Sequence, residues 1–254
     1  MTVEFERDGR CGVITINRPA ARNAVNAEVA AGIEAGIDRI EDDDDLWIGI
    51  LTGVPPVFCA GADLKAVQGG QGQSVFTDRG GFGGFVRRDR RKPIIAAVDG
   101  PALAGGAELV LAADLVVASR RAAFGIPEVK RCMIAGAGGL FRLARKMPEN
   151  LAMECALTGD PISAERAHAA GLVNELVEDG QAVEAALALA ARIGANSPLA
   201  VRESRRVILA TSRLSDEESF EVSEEVLAGV MRSADFREGL AAFIEKRPPT
   251  WTGH

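Results

Sequence analysis

The chain has 254 residues, of which 47% are hydrophobic and 26% charged, a composition typical of a single soluble globular domain. Its net charge of -7, with 5% aromatic residues and no Tyr, argues against nucleic-acid binding, because phosphate backbones select basic surfaces and unpaired bases stack on aromatic rings. The first residues, MTVEFERDGR, are charged where a secretory leader is apolar, and the chain has no uninterrupted apolar run of 18 residues. We therefore expect a soluble cytoplasmic protein.

Histidine and cysteine usage narrows the chemistry further. The two histidines are His168, which we expect on an ordinary helix, and the terminal His254, too few for a multi-histidine metal site. No CxxC pair occurs, so we expect neither a zinc knuckle nor a disulfide framework. The sequence contains no GxSxG, HExxH, GxxxxGK[ST] or GxGxxG motif. Any chemistry must therefore depend on carboxylates, backbone amides or both. The four cysteines are Cys11, Cys59, Cys132 and Cys155.

The N-terminal elements follow clear patterns. Val3 to Arg7 and Cys11 to Asn17 flank an Asp8-Gly9 turn, which predicts a β-hairpin. A helix is expected from Asn26 as N-cap, with an apolar face ending at Ile40. The acidic run at 42–45 is interpreted as a solvated turn that ends this helix rather than as a metal site. WIGILT at 47–52 predicts a strand buried on both faces.

The middle of the chain alternates between apolar runs and helix-compatible stretches. Ile94 to Val98 and Leu115 to Ala118 are predicted strands, so the expected fold class is α/β with a parallel sheet. The Gly-rich segment 69–84 lacks periodicity and predicts a mobile loop, as a surface insertion or as a lid over a site. The basic run at 87–92 leaves two interpretations open, a solvated helix face or a contact with an anionic ligand.

From Glu149 onward the sequence favours helices. Serine N-caps are expected at four positions, one of them completing a capping box with Glu218, and Gly171 is expected to end a helix. The α/β core is expected over about residues 1–170, with a helical region over about 171–254, in one domain because no linker separates them. The serines are Ser163, Ser197, Ser215 and Ser233.

Three segments place small residues at strand-to-helix turns, where free backbone N–H groups bind negative charge. They are FCAGADL at 58–64, AVDGPALAGGAE at 97–108 and FGIPE at 124–128, the last followed by Gly136, Gly138 and Gly139. Singly, each is more typical of a structural turn. Together, and with NRPAARNAVN at 17–26, LTGDPISAERAHAAGLV at 157–173 and AFIEKRPPTW at 242–251, they resemble the enoyl-CoA hydratase/isomerase (crotonase) superfamily over almost the whole chain.

The resemblance implies a crotonase fold, with a β-β-α spiral core and a helical C-terminal trimerisation region, and an acyl-CoA thioester as substrate. It places an oxyanion hole at the backbone N–H groups of Ala62 and Gly105. It places the two catalytic carboxylates of the hydratases at Glu108, which would activate water, and Glu128, which would protonate C2. Gly136 would offer a backbone N–H to the water.

The same resemblance assigns CoA contacts to Ala24, Ala60, Asp63 and Leu64, and to Phe243 and Lys246, often from a neighbouring subunit. It implies a homotrimer or a dimer of trimers, and no metal or redox cofactor, since coenzyme A is part of the substrate. Hydration of a 2-enoyl-CoA is the leading hypothesis. The alternatives are a carnitinyl-CoA-type dehydratase, an enoyl-CoA isomerase, which usually needs one acid/base group, and an acyl-CoA-binding paralogue without activity. Departures from the family pattern are the segment 69–84 and the Lys130-Arg131-Cys132 sequence after Glu128.

Overall fold

A six-stranded sheet forms the centre of the protein. The computed structural model describes residues 1–66, 68–70 and 72–254. The strands follow the order β1-β2-β3-β6-β8-β11. The first two are antiparallel to each other, and all the remaining neighbours are parallel. The predicted hairpin and parallel strands are confirmed. The strands are β1 (Val3–Asp8), β2 (Cys11–Ile16), β3 (Ile48–Gly53), β6 (Ile94–Val98), β8 (Leu115–Ser119) and β11 (Glu175–Val177).

Helices cover both faces of this sheet, and the side chains of its inner strands alternate between two hydrophobic cores. In β2, Ile14 packs into a core with α1 and α3, and Val13 packs into a second core with α7. The α/β part therefore extends past residue 170, because β11 and α7 belong to it. The helices are α1 (Ala27–Asp42), α2 (Leu64–Ala66), α3 (Gly105–Ala112), α4 (Gly139–Lys146), α5 (Glu149–Thr158), α6 (Ala164–Ala169), α7 (Ala182–Gly194), α8 (Pro198–Thr211), α9 (Asp216–Met231) and α10 (Ala234–Glu245).

The predicted helix caps are confirmed. The side chain of Asn26 accepts the N–H of Val29 at 3.0 Å and starts α1. The four serines accept backbone N–H groups at the starts of α6, α8, α9 and α10, and Ser215 forms the capping box with Glu218. Helix α1 ends at Asp42, and two of the following aspartates face Arg7 and Arg10. No helix within the described residues is long and apolar enough to cross a membrane.

Two smaller sheets complete the strands. The three-stranded sheet β10-β9-β7 consists of β7 (Ala102–Leu103), β9 (Ala123–Gly125) and β10 (Ile162–Ser163). Strand β7 leads into α3, and β9 leads into the turn that contains Glu128. The two-stranded hairpin consists of β4 (Phe76–Thr77) and β5 (Gly81–Phe82).

The hairpin lies inside the Gly-rich segment, which is not the unstructured loop that the sequence predicts. Thr77 Oγ1 donates to Glu34 at 2.7 Å, and Arg79 donates to both carboxylate oxygens of Asp38 at 3.0 and 2.6 Å. These partners lie on α1, far away in the sequence, so composition alone gives no sign of them. The segment is thereby attached to α1, while its residue Gln71 lies outside the described residues.

The basic run at 87–92 fits neither of its two predicted interpretations. Arg88 pairs with Asp38 on α1, and the buried Arg90 pairs with Asp114. Arg91 pairs with Glu41. Lys92 is 2% exposed and donates to backbone oxygens at the end of α1. Most of these cations thus hold α1 and the sheet together instead of facing solvent or a ligand.

Candidate active site

The turn between β3 and α2 presents one free backbone amide. Ala60 N donates to Arg22 O at 3.1 Å, Gly61 N donates to the sulfur of Cys59 at 3.4 Å, and Asp63 N donates to Val25 O at 2.8 Å. The N–H of Ala62 has no acceptor among the residues that the structure describes. A turn whose neighbouring amides are all engaged holds this remaining amide in a fixed direction.

A second free amide lies beside the first. Gly105 is the first residue of α3, where a backbone N–H has no acceptor within the helix. The preceding Ala104, at φ 52°, donates its N–H to Gly125 O at 2.8 Å. A Cβ on Gly61 would lie 3.0 Å from Gly105 N, so the two turns are in contact. The structure thus brings Ala62 and Gly105 together, as an oxyanion hole requires.

The two turns approach closely because residue 106, where they touch, is a glycine and has no side chain. A Cβ on Gly106 would lie 2.0 Å from the carbonyl oxygen of Cys59 and 2.9 Å from its Cβ. Any side chain at position 106 would push α3 away from the β3–α2 turn. The Gly-Gly pair at the start of α3 therefore sets the spacing of the two amide donors.

Glu108 lies on the first turn of α3 and is buried, 4% exposed. Its Oε1 accepts the N–H of Gly139 at 2.9 Å. Burial raises the pKa of Glu108, and the charge of Glu128 raises it further, while the N–H groups of Gly139 and Ala137 oppose the shift. A raised carboxyl pKa favours the proton exchange near neutral pH that a general acid or base needs.

Glu128 follows β9 in a short 3-10 turn, Pro127–Arg131. Its Oε2 is buried and has no hydrogen-bond partner within the described residues. Burial also raises the pKa of Glu128. The pKa of each of the two carboxyls is thus raised, so that both are shifted toward the neutral form.

The turn with Ala62 also carries three of the residues assigned to CoA. Arg18 connects Asp63 of this turn with Ala24, the fourth residue of that set, because its guanidinium donates to Ala24 O at 2.6 Å and to Asp63 at 3.1 Å. Burial alone would raise the pKa of Asp63, but Arg18 and two backbone N–H groups lower it. Asp63 is therefore an anchor of the turn, and Leu64 is 58% exposed beside it.

The resemblance also assigns roles to Gly136, Phe243 and Lys246. Gly136, predicted to offer its N–H to the water, is exposed and lies three residues before Gly139, whose N–H binds Glu108. Phe243 is 85% exposed on α10, and Lys246 caps the end of that helix in the left-handed region. The roles of Gly136, Phe243 and Lys246 stay predictions. The sequence motif contained Gly139, but its pairing with Glu108 depends on the packing of α4 against α3, which the motif does not reveal.

Comparisons with known proteins show the family of this chain. The family model described as Enoyl-CoA hydratase/isomerase matches residues 6–254. The chain is 41% identical over 252 residues to "Enoyl-CoA hydratase EchA19" of Mycobacterium tuberculosis, covering 97% of this chain and 94% of that protein. It is 36% identical to "Carnitinyl-CoA dehydratase" of Salmonella typhi, covering 99% and 98%. The crystal structure of an enoyl-CoA hydratase from M. tuberculosis H37Rv superposes with a TM-score of 0.96 at 50% identity, covering 100% and 99%.

The family match spans nearly the whole chain, and the fold is the crotonase fold of these relatives. The roles that the resemblance in sequence gives to Ala62, Gly105, Glu108 and Glu128 stay predictions. The chain belongs to the enoyl-CoA hydratase/isomerase family, as an enzyme whose substrate is an acyl-CoA thioester.

Proposed function

We propose that this enzyme adds water reversibly across the C2–C3 double bond of a 2-enoyl-CoA to give a 3-hydroxyacyl-CoA. The observation that carries the proposal is the buried Glu108 on the first turn of α3, three residues after the amide of Gly105, together with the buried Oε2 of Glu128, whose charge acts on Glu108. Hydration needs one group to take a proton from water and one to supply a proton to C2. An isomerase moves one proton and has less need of a second carboxyl.

In the proposed mechanism the thioester oxygen binds between the N–H groups of Ala62 and Gly105. As water attacks C3, negative charge develops on this oxygen, and each fixed amide donor is typically worth about 10²–10³-fold in rate. The positive end of the α3 dipole, at Gly105, favours the same charge. The two turns hold the donors in place before the substrate arrives, so little reorganisation accompanies the reaction.

Glu108 takes the proton of the attacking water, and Glu128 gives a proton to C2. The N–H of Gly139 binds Oε1 and keeps the Glu108 carboxyl oriented. Oε2 of Glu128 is unpaired and buried, which suits a group that meets its partner only when substrate binds. Gly136 is proposed to hold the water through its N–H. No step requires a metal or a redox cofactor.

The proposal is tested by Glu108→Gln and Glu128→Gln, which keep the size of each side chain and remove its proton exchange. We expect each variant to lower kcat for hydration by about 10²-fold or more, with the Kd for a saturated acyl-CoA nearly unchanged, because CoA and the thioester oxygen are held elsewhere. Turnover is followed by the loss of absorbance of the conjugated thioester, and Kd by calorimetry.

The outcomes separate the alternatives. Full activity of both variants on every enoyl-CoA would contradict the two-carboxyl mechanism. Activity spared in Glu128→Gln alone would favour an isomerase, and binding without any turnover by the unsubstituted enzyme would favour a paralogue without activity. A carnitinyl-CoA-type reaction, supported by the name of the Salmonella relative, is tested by including that substrate in the same panel. If the enzyme prefers the carnitinyl-CoA-type substrate to simple enoyl-CoAs, the acyl group in the proposal changes, while the roles of the two carboxyls stay the same.

A further inference from the structure

The side chain of Arg142 is packed against the turn formed by residues 137–139, which precedes and begins α4. Arg142 lies in α4, three residues after Gly139, and its Nη1 donates back to Ala137 O at 3.1 Å. A Cβ on Gly138 would lie 2.1 Å from the same Nη1, so the guanidinium touches the backbone of this turn. The 137–139 turn is therefore held by a side chain as well as by its own backbone.

The same turn holds the carboxyl of Glu108. Gly139 donates its N–H to Oε1 at 2.9 Å. Burial raises the pKa of Glu108, and the N–H groups of Gly139 and Ala137 oppose this shift. Amide donors directed at a carboxylate favour its charged form. The position of the 137–139 turn thus affects both the orientation and the ionisation of Glu108.

Arg142 also connects this turn with a distant part of the chain. Its Nη2 donates to Val86 O at 2.5 Å, and Val86 is 3% exposed. A Cβ on Gly84 would lie 2.4 Å from Ala30 O, so the backbone that leads to Val86 touches the backbone of α1. The planar guanidinium therefore binds two carbonyl oxygens on separate segments, a geometry that the single ammonium of a lysine does not reproduce.

The charge of Arg142 acts on Glu108, and the charge of Glu108 acts on Arg142. Burial lowers the pKa of Arg142, and the charge of Glu108 opposes this shift. Burial and the charge of Glu128 raise the pKa of Glu108, whereas the charge of Arg142 lowers it. A half-buried cation near this carboxyl thus offsets part of the effect of burial.

The other charged groups around Arg142 have partners of their own. Arg90, whose charge also lowers the pKa of Arg142, pairs with Asp114. Lys146, one turn later on α4, donates to the backbone oxygen of residue 113 at 2.6 Å. Both hydrogen bonds of the Arg142 guanidinium go to carbonyl oxygens, so Glu108 is the carboxyl whose charge acts on it.

We infer that Arg142 is a positioning residue for Glu108, because it holds the 137–139 turn in place and keeps a positive charge near the carboxyl. This inference rests on the proposed function, since it concerns the group proposed to take the proton of water. A base must be ionised to accept that proton, and a nearby cation favours the ionised form. Removal of Arg142 should therefore change kcat and its pH dependence more than substrate binding.

Two substitutions separate the charge from the hydrogen bonds. Arg142→Gln removes the charge, whereas Arg142→Lys keeps the charge and loses the planar pair of donors. On a short 2-enoyl-CoA we expect Arg142→Gln to lower kcat by about 10-fold or more, because a misplaced base loses alignment with its target. Arg142→Lys should lie between the two enzymes, and the Kd for the saturated acyl-CoA should stay within about twofold. If Arg142→Gln does not fold, an unchanged kcat of Arg142→Lys would overturn the inference.

The pH profile of kcat/KM gives a readout that a merely structural role would not change. Without the charge of Arg142 the pKa of Glu108 rises further, so the carboxyl becomes neutral, and unable to act as a base, already at higher pH. The acid limb of Arg142→Gln should therefore move to higher pH, and that of Arg142→Lys should stay close to the unsubstituted enzyme. The limb belongs to Glu108 and Glu128 together, and an unmoved limb in Arg142→Gln would overturn the inference.

Arg145→Gln is the matched control, because Arg145 belongs to the same helix and is exposed. The guanidinium carbons of Arg142 and Arg145 lie 4.9 and 4.7 Å from the ring centroid of Phe141, so the two arginines share this contact. We expect Arg145→Gln to keep kcat within about twofold and to leave the acid limb in place. Equal effects of Arg142→Gln and Arg145→Gln would contradict the inference, since the loss of either arginine of α4 would then be sufficient.

Selective ¹³C labelling of the glutamate carboxyls separates this inference from the proposed reaction, because NMR then follows ionisation without turnover. The signal of Glu108 is assigned by its loss in Glu108→Gln. If no enoyl-CoA is hydrated but this carboxyl titrates at higher pH in Arg142→Gln, the role of Arg142 stands and the reaction falls. If hydration occurs and neither this titration nor kcat changes in Arg142→Gln, the inference is wrong and the reaction stands.

Discussion

Glu108 and Gly139 form a contact in which a single main-chain group orients a buried carboxyl. The donor–acceptor distance is 2.9 Å, and the space where a side chain at position 139 would begin is also filled by Glu108. A Cβ at this position would lie 3.0 Å from Cγ and 3.1 Å from Oε1 of Glu108. The carboxyl would then have to move by a few tenths of an ångström.

We expect Gly139→Ala to lower kcat by about 10-fold, because a displaced catalytic group loses alignment with its target, while the Kd for acyl-CoA stays within about twofold. Steady-state kinetics on a short 2-enoyl-CoA and calorimetry with its saturated analogue provide the measurement. Full activity of this variant would show that the position of Glu108 tolerates the change.

Gly194→Ala serves as the control for a glycine-to-alanine change in a helix. A Cβ there would lie 3.8 Å from Ile48 Cδ1, which is ordinary packing. Unchanged kinetics, with an equal or slightly higher Tm, are expected because the added methyl group restricts the unfolded chain without strain. A matching loss in both variants would point to a general effect of alanine on folding.

At the scale of elements, α1 depends on a buried lysine at its C-terminal end. Lys92 Nζ donates to the carbonyl oxygens of Ile40, Glu41 and Asp43 at 2.8, 3.2 and 2.8 Å. The carbonyls at a helix end have no partners within the helix, and a cation there also meets the negative end of the helix dipole. Burial lowers the pKa of Lys92, and the charge of Glu41 opposes this shift.

Lys92→Met keeps the apolar stem and removes the three donated bonds. We expect the free energy of unfolding to fall by about 1–3 kcal/mol and Tm by roughly 2–8 °C, with activity per folded molecule within about twofold. Denaturant and thermal unfolding measure this. Arg91→Met is the comparison, because its side chain is 68% exposed in its pair with Glu41 and should cost little. Equal losses in the two variants would contradict the assigned role of Lys92.

The elements also show how far the sequence predicts this structure. Local patterns were sufficient for the hairpin at β1–β2, for the cap at Asn26 and for the four serine caps, because each depends on residues a few positions apart. The basic run and the β4–β5 hairpin were misjudged because their partners Asp38 and Glu34 lie on α1, about 40 to 50 positions earlier. The motifs located both glutamates. The contact of Gly139 with Glu108 and the contact of Phe82 with Gly105 arise only from tertiary packing.

For the molecule as a whole, the C-terminal helices present many exposed apolar side chains. Helices α8 to α10 bury few apolar side chains, among them Val226 and Ala242. Asp235 fixes α10 to the start of α8 through Ser197 at 2.7 Å. Large exposed apolar patches mark association surfaces. The exposed apolar side chains of these helices include Ile208, Leu209, Phe220, Leu227, Met231, Leu240, Phe243 and Ile244.

We expect association into a trimer or a dimer of trimers. Sedimentation at micromolar concentration should therefore give three or six times the chain mass of 26.7 kDa. If Phe243 and Lys246 complete the CoA site of a neighbour, dilution that dissociates the oligomer should lower specific activity in parallel. A compact monomer that keeps full activity would contradict both expectations.

The oxyanion hole proposed at Ala62 and Gly105 consists of main-chain groups alone, and this has a consequence for how the enzyme tolerates mutation. Replacing the side chain of Ala62 leaves its N–H in place, so such a substitution does not reveal what this amide contributes to charge stabilisation. Proline, which lacks the N–H, is the natural residue that deletes such a donor at either position. Related sequences can therefore differ in the side chain at position 62 and keep both N–H donors, provided that they retain the glycines that bring the two turns together.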